Sequence, residues 1–158
     1  MCYHCWIKRP FFAVWSTQKH IGVDPVINDK ATGTTVLVVD DEPFIQVVVS
    51  MILERLGFAV LVAADGSECL KLVEKHRQEI FLILCDLSMP GMDGWQTISA
   101  LRLLAPELPV VLASGYAVDQ AMCREHPDQP WAIMNKPYVV DNIDKIIKLV
   151  LKERGLAT

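Results

Sequence analysis

From Thr35 onward the chain alternates between short apolar runs and longer segments of helical period. The runs are Thr35–Val39, 58–63, 80–85, 110–113 and 132–134, each with hardly a polar residue inside it. Strands covered on both faces lose the polar alternation of a half-exposed strand, so runs of this kind predict buried parallel strands. Between and after them, segments over 43–56, 67–77, 94–104, 118–125 and 141–153 carry apolar residues at spacings of three and four, the fourth least clearly. Five β-α units joined by short loops predict an α/β domain built on one five-stranded parallel sheet, and right-handed crossovers put helices on both of its faces.

The ends of the runs carry the chemistry. Asp40 and Asp41 close the first, Asp86 the third, Ser114 the fourth, and Lys136 follows the fifth. In a parallel sheet all of these emerge at the carboxyl edge, where ligands bind in open α/β folds. Two carboxylates ~4 Å apart repel by about 4 kcal/mol at an effective dielectric near 20, so three in one pocket call for a cation. Magnesium suits an all-oxygen set, and no His or Cys stands at these strand ends to favour zinc. An aspartate can also accept a phosphoryl group, a transfer that needs chiefly neutralisation of the equatorial oxygens, for which Lys136 and the Ser114 hydroxyl are placed. Asp65, just before Gly66, reads instead as a helix cap.

Composition narrows the partners. With 158 residues, 52% of them hydrophobic and 22% charged, the chain suits one globular core and not a disordered tail. A net charge of −4 without a basic cluster argues against direct binding of nucleic acid. The apolar stretches fall short of the ~20 residues a membrane span requires. Residues 1–15 are apolar and aromatic, but Lys8-Arg9 comes late and no small-residue cleavage site follows, so a cytoplasmic protein is expected. Of five cysteines, Cys69, Cys85 and Cys123 fall in apolar patterns that suit reduced buried thiols. Cys2, His4 and Cys5, with His20, fall short of a structural zinc site. Residues 1–33 lack a sustained period and read as an extension or linker ahead of a domain over 34–158.

Four motifs in order, VLVVDDEP, LILCDLSMPGMDG, VVLASGYA and MNKPY, resemble the receiver domains of two-component response regulators across about 35–153. The resemblance implies the flavodoxin-like strand order 2-1-3-4-5, which the handful of apolar runs alone leaves open. It implies that Asp86 takes phosphate from the phosphohistidine of a sensor histidine kinase or histidine phosphotransfer protein. Asp41, Asp86 and the Ser88 carbonyl would bind Mg2+ directly, and Asp40 through water. Ser114 would hydrogen-bond the phosphoryl group, Lys136 would pair with it, and the Lys136-Pro137 bond would be cis, which X-Pro tolerates at small cost. Phosphorylation would draw in the Ser114 loop and shift populations on the face of the fourth helix, fifth strand and fifth helix, toward a downstream protein target or, in a homodimer, a second copy. Where such domains often carry Tyr or Phe, three positions before the lysine, this chain has Ile133, which has no hydroxyl to expose or bury; Tyr116 and Tyr138 read as packing residues. ASGYA further resembles receivers of hybrid histidine kinases. The chemistry would be confined to the chain's own aspartate, so no enzyme acting on other substrates is expected; the alternative is an interaction module independent of phosphate.

The first helix carries two apolar stripes. Ile45, Val48, Val49, Ile52, Leu53 and Leu56 form the core stripe, while Phe44, Val47 and Met51 lie on the opposite side. A helix apolar on both sides invites a second cover, either a histidine-bearing partner helix or the aromatic N-terminal segment.

Overall fold

The computed structural model describes residues 34–115 and 126–155. In chain order the elements are β1 (Thr35–Val39), α1 (Pro43–Arg55), β2 (Ala59–Ala63), α2 (Gly66–His76), β3 (Ile80–Asp86), α3 (Gly94–Leu104), β4 (Val110–Ser114), β5 (Ala132–Asn135) and α4 (Val140–Glu153). The five strands form one parallel sheet in the order β2-β1-β3-β4-β5. The helix expected over 118–125, Tyr116, Cys123, the Cys2-His4-Cys5 group and the whole N-terminal extension lie outside the described residues.

Every residue of β1, β3 and β4 is buried, whereas the edge strands β2 and β5 are only partly covered. The central strands feed two cores. Val36, Val38, Leu84 and Val111 pack on one face against Val49 and Leu53 of α1 and Ile143, Ile147 and Val150 of α4. Leu37, Val39, Ile83 and Leu112 pack on the other against Cys69 and Val73 of α2 and Ile98 and Leu101 of α3. Full burial of one such side chain stabilises by about 1.5–3 kcal/mol, so these layers hold the sheet edges in place. Adjacent residues Phe81 and Leu82 both reach the α1/α4 core, because the β1/β3 register slips between Thr35↔Ile80 and Val36↔Leu82. An extra residue in one strand bends it and restores the alternation beyond the slip.

Local signals set the element ends. Pro43 opens α1, where the missing N–H costs no helical bond. Gly57, at φ 91°, takes the left-handed turn that carries the chain from α1 into β2. Asp65 caps α2 by accepting a bond from the Glu68 amide at 2.8 Å, the role expected of it. Asp93 and Gln96 form a reciprocal capping box at the start of α3. The outer stripe of α1 stands in water: Phe44, Val47 and Met51 are 75%, 58% and 65% exposed.

Candidate functional site

The carboxyl edge of the sheet brings the expected acids together. Asp40 and Asp86 are buried and Asp41 half-buried, and one carboxylate oxygen from each lies within 4.8 Å of the others. At that separation each like-charged pair costs roughly 3–4 kcal/mol at an effective dielectric near 20. One cation answers them. The Lys136 ammonium lies 3.0 Å from Asp40 Oδ2 and 3.1 Å from Asp86 Oδ2, bridging the ends of β1 and β3. Burial works to lower the Lys136 pKa, but the bonds and charges of Asp40 and Asp86 outweigh it and raise it above the ordinary lysine value. Among the described residues, this single ammonium against three carboxylates leaves a formal excess of two negative charges.

The surrounding loops hold these groups by backbone bonds. Asp40 accepts the Glu42 amide on Oδ1 at 2.9 Å, and its carbonyl accepts from Gln46 Nε2 at 2.6 Å, which ties the β1 end to α1. Leu87 N–H donates to the Ala113 carbonyl, and Gly94 N–H to the Leu87 carbonyl, fixing the chain that leaves Asp86. A Cβ on Gly94 would sit 2.7 Å from the Asp86 carbonyl oxygen and 2.8 Å from the Leu87 Cα, so only glycine lets α3 start this close to β3. Ser114 is buried at the end of β4, and its carbonyl accepts the Lys136 amide at 2.8 Å, pinning the β4 and β5 ends together. Ser88 is exposed, two positions beyond Asp86. The Lys136–Pro137 bond is cis, and Ile133 packs partly buried on the α2/α3 side of the sheet.

Tyr138 carries more than the packing role expected of it. Its ring belongs to the α1/α4 core, yet its hydroxyl lies 3.5 Å from Asp40 Oδ2 and the Lys136 ammonium lies 5.6 Å from its ring centroid. Burial, then the charges of Asp40 and Asp86, push its pKa far above the ordinary phenol value, so the hydroxyl stays a donor. Gln46 likewise escaped notice. The position of Tyr138 two residues beyond Lys136 was the one available signal for it. A groove of about 460 Å³, lined by Phe44, Ile45, Val48, Gly115, Lys136, Pro137 and Tyr138, runs from this lysine to the exposed stripe of α1.

Three oxygen donors of this kind, with no His or Cys among them, suit a hard divalent cation such as Mg2+. Buried carboxylates beside a strand-end lysine also suit phosphoryl chemistry, which needs chiefly charge neutralisation on the transferred oxygens.

Comparisons with known proteins agree with the geometry. The "Response regulator receiver domain" family profile matches residues 36–148. The sensor kinase CckA of Brucella abortus is 31% identical over 127 residues, 80% of this chain and 13% of that protein. Sporulation initiation phosphotransferase F of Bacillus subtilis is 25% identical over 116 residues, 73% of this chain and 92% of that protein. The chain spans about half the length or less of several other relatives, among them 52% of the Mycobacterium tuberculosis regulator TcrX and 19% of the yeast transcription factor SKN7. Among solved structures, Vibrio cholerae chemotaxis protein CheY4 overlays with a TM-score of 0.69 at 27% identity, covering 75% of this chain and 99% of that one. A CheY-like receiver domain protein of Methanospirillum hungatei gives 0.63 at 30%, covering 77% and 97%. Strand order, edge chemistry and sequence likeness converge on one conclusion: this chain belongs to the response regulator receiver domain family of two-component signalling.

Proposed function

We propose that Asp86 is the phosphoryl acceptor of this receiver, and that the donor is the phosphohistidine of a sensor histidine kinase or histidine phosphotransfer protein. The observation that carries the reading is the Lys136 ammonium, held between Asp40 and Asp86 beside Asp41 at the carboxyl edge of the sheet. In the transfer, an Asp86 carboxylate oxygen attacks phosphorus, the P–N bond breaks, and the histidine nitrogen keeps the electron pair and takes up a proton. Asp41, Asp86 and the Ser88 carbonyl would hold Mg2+ directly and Asp40 through water. The ion, when bound, supplies charge neutralisation on the phosphoryl oxygens. Lys136 turns part of its hydrogen bonding from Asp40 to the incoming group, and the Ser114 hydroxyl donates to another of its oxygens. Buried carboxylates confine this chemistry to the chain's own aspartate, so the protein acts as a regulated surface and not as an enzyme on other substrates.

The donor docks on the outer stripe of α1. Phe44, Val47 and Met51 are exposed, and Phe44 also lines the groove that reaches Lys136, so a helix laid along this stripe would bring its histidine toward the acid pocket. The domain runs over 34–158, is cytoplasmic, and passes its signal to a downstream protein. None of the described helices is long and apolar enough to cross a membrane.

Incubation with acetyl phosphate, with and without Mg2+, tests the acceptor by mass spectrometry. A magnesium-dependent phosphoryl adduct on the wild type that is absent from Asp86→Ala is expected. A folded protein that takes up neither phosphate nor beryllofluoride would instead be a phosphate-independent interaction module.

A further inference from the structure

Tyr138 touches both halves of the ion pair at the centre of the site. Its ring face lies under the Lys136 ammonium, 5.6 Å from the centroid, and its hydroxyl reaches Asp40 Oδ2 at 3.5 Å. The same carboxylate oxygen already receives Lys136 at 3.0 Å, while Oδ1 is occupied by the Glu42 amide at 2.9 Å. A hydroxyl 3.5 Å from its acceptor is well beyond the usual 2.5–3.0 Å of an O–H···O bond. The phenol therefore stands back from an oxygen that the lysine has taken. It has little freedom to look elsewhere: the residue is 9% exposed and packed into the α1/α4 core.

Phosphorylation changes the demand on the lysine. An ammonium that turns to a phosphoryl oxygen on Asp86 loosens its hold on Asp40 Oδ2; Oδ1 keeps the Glu42 amide, but an oxygen of a wholly buried carboxylate is costly to leave short of a donor. We propose that Tyr138 is a positioning residue that takes over Asp40 when Lys136 turns to the phosphoryl group, its hydroxyl closing on Oδ2 as the ammonium leaves. The hand-over rests on Asp86 being the acceptor, and it deepens that reading by assigning a second, uncharged donor to the acid pocket. The raised pKa of the phenol keeps its proton in place across the neutral and moderately alkaline range.

The hydroxyl and the ring are separable, since Tyr138→Phe keeps the core packing and the face beneath Lys136 and deletes only the donor. Two titrations by calorimetry test it on the full chain: Mg2+ alone, then beryllofluoride at saturating Mg2+. Tyr138→Phe should bind Mg2+ within about twofold of wild type, because Lys136 still serves Asp40, yet lose about tenfold in beryllofluoride affinity, as a hydrogen bond to a charged group requires. Equal beryllofluoride affinity in the two proteins overturns the hand-over. So does a loss of the same size in both titrations, which would mark a general structural role. Failure of the wild type itself to bind beryllofluoride would strike the acceptor assignment, a separate result read in a separate arm.

Discussion

Both edges of the sheet are ringed with charge, but they are balanced differently. At the amino edge Arg77 grips Glu107 with two bonds of 2.7 Å and donates a third, of 2.8 Å, to the Leu104 carbonyl. Arg102 donates to the Leu108 and Gln129 carbonyls, Arg154 to the Phe81 carbonyl, and Trp131 Nε1 to Glu153. A cleft of about 380 Å³ opens there, lined among others by Arg102, Glu107, Trp131, Glu153 and Arg154, whose side chains already bond within the chain. At the carboxyl edge, among the described residues, one ammonium faces three carboxylates. Charge and a cleft are common to the two edges; what sets the second apart is the shortfall of counter-charge among the described residues, which is what a divalent cation would supply.

The largest effect expected from disturbing this contrast is at Lys136. Lys136→Met, measured by urea denaturation without divalent ions, should lose about 3 kcal/mol at neutral pH, as when one partner of a buried pair is removed. Added Mg2+ should return part of the loss. Because the folded pKa of Lys136 is raised, its contribution is complete below the ordinary lysine value and fades as pH climbs through the raised one. The wild type should therefore approach the variant only in strong alkali.

Gly94→Ala comes next. The new methyl meets the Asp86 carbonyl and the Leu87 Cα, backbone that has little room to yield. A cost of about 1–3 kcal/mol in thermal or urea unfolding is expected, with weaker Mg2+ binding because the shift falls on the acceptor loop.

Asp41→Asn should move stability the other way. Removing one charge from an over-full cluster, with no divalent ion present, should stabilise by about 1 kcal/mol in the same denaturation assay while abolishing the response to Mg2+. A loss of stability would mean the carboxylates do not strain one another.

The smallest effect belongs to the amino edge. Glu107→Gln should lower the melting temperature slightly, without any change in Mg2+ binding. Its bond to Arg77 holds the Glu107 carboxyl below the ordinary value, so the benefit is present above the ordinary range and is lost as pH falls through the lowered one. Wild type and variant should converge in acid.

Much of the fold was legible because the apolar runs were. Thr35–Val39 and Gly94–Leu104 match their expected bounds, and the helices Pro43–Arg55, Gly66–His76 and Val140–Glu153 differ by a residue at one end or both. The misses have physical causes. Phe58 is buried and apolar like a strand residue, yet it lies in the turn before β2, where its amide answers the Leu53 carbonyl. Asp86 extends β3 by one residue because it still pairs with Ala113 of β4, a cross-strand fact with no local signature. The slip at Phe81 leaves no trace in a run that is apolar throughout. At the site, each charged member announced itself as a polar residue ending an apolar run. Tyr138 and Gln46 did not, since one reads as core and the other as a helix surface, and only the folded chain brings them to Asp40.

If the carboxyl edge lacks counter-charge, as proposed, its aspartates should take up a divalent cation. Calorimetric titration of Mg2+ into the wild type and into Asp86→Asn tests it most directly. Single-site binding is expected in the wild type and none in the variant. Absence of binding in the wild type, or the same binding in both proteins, would contradict it.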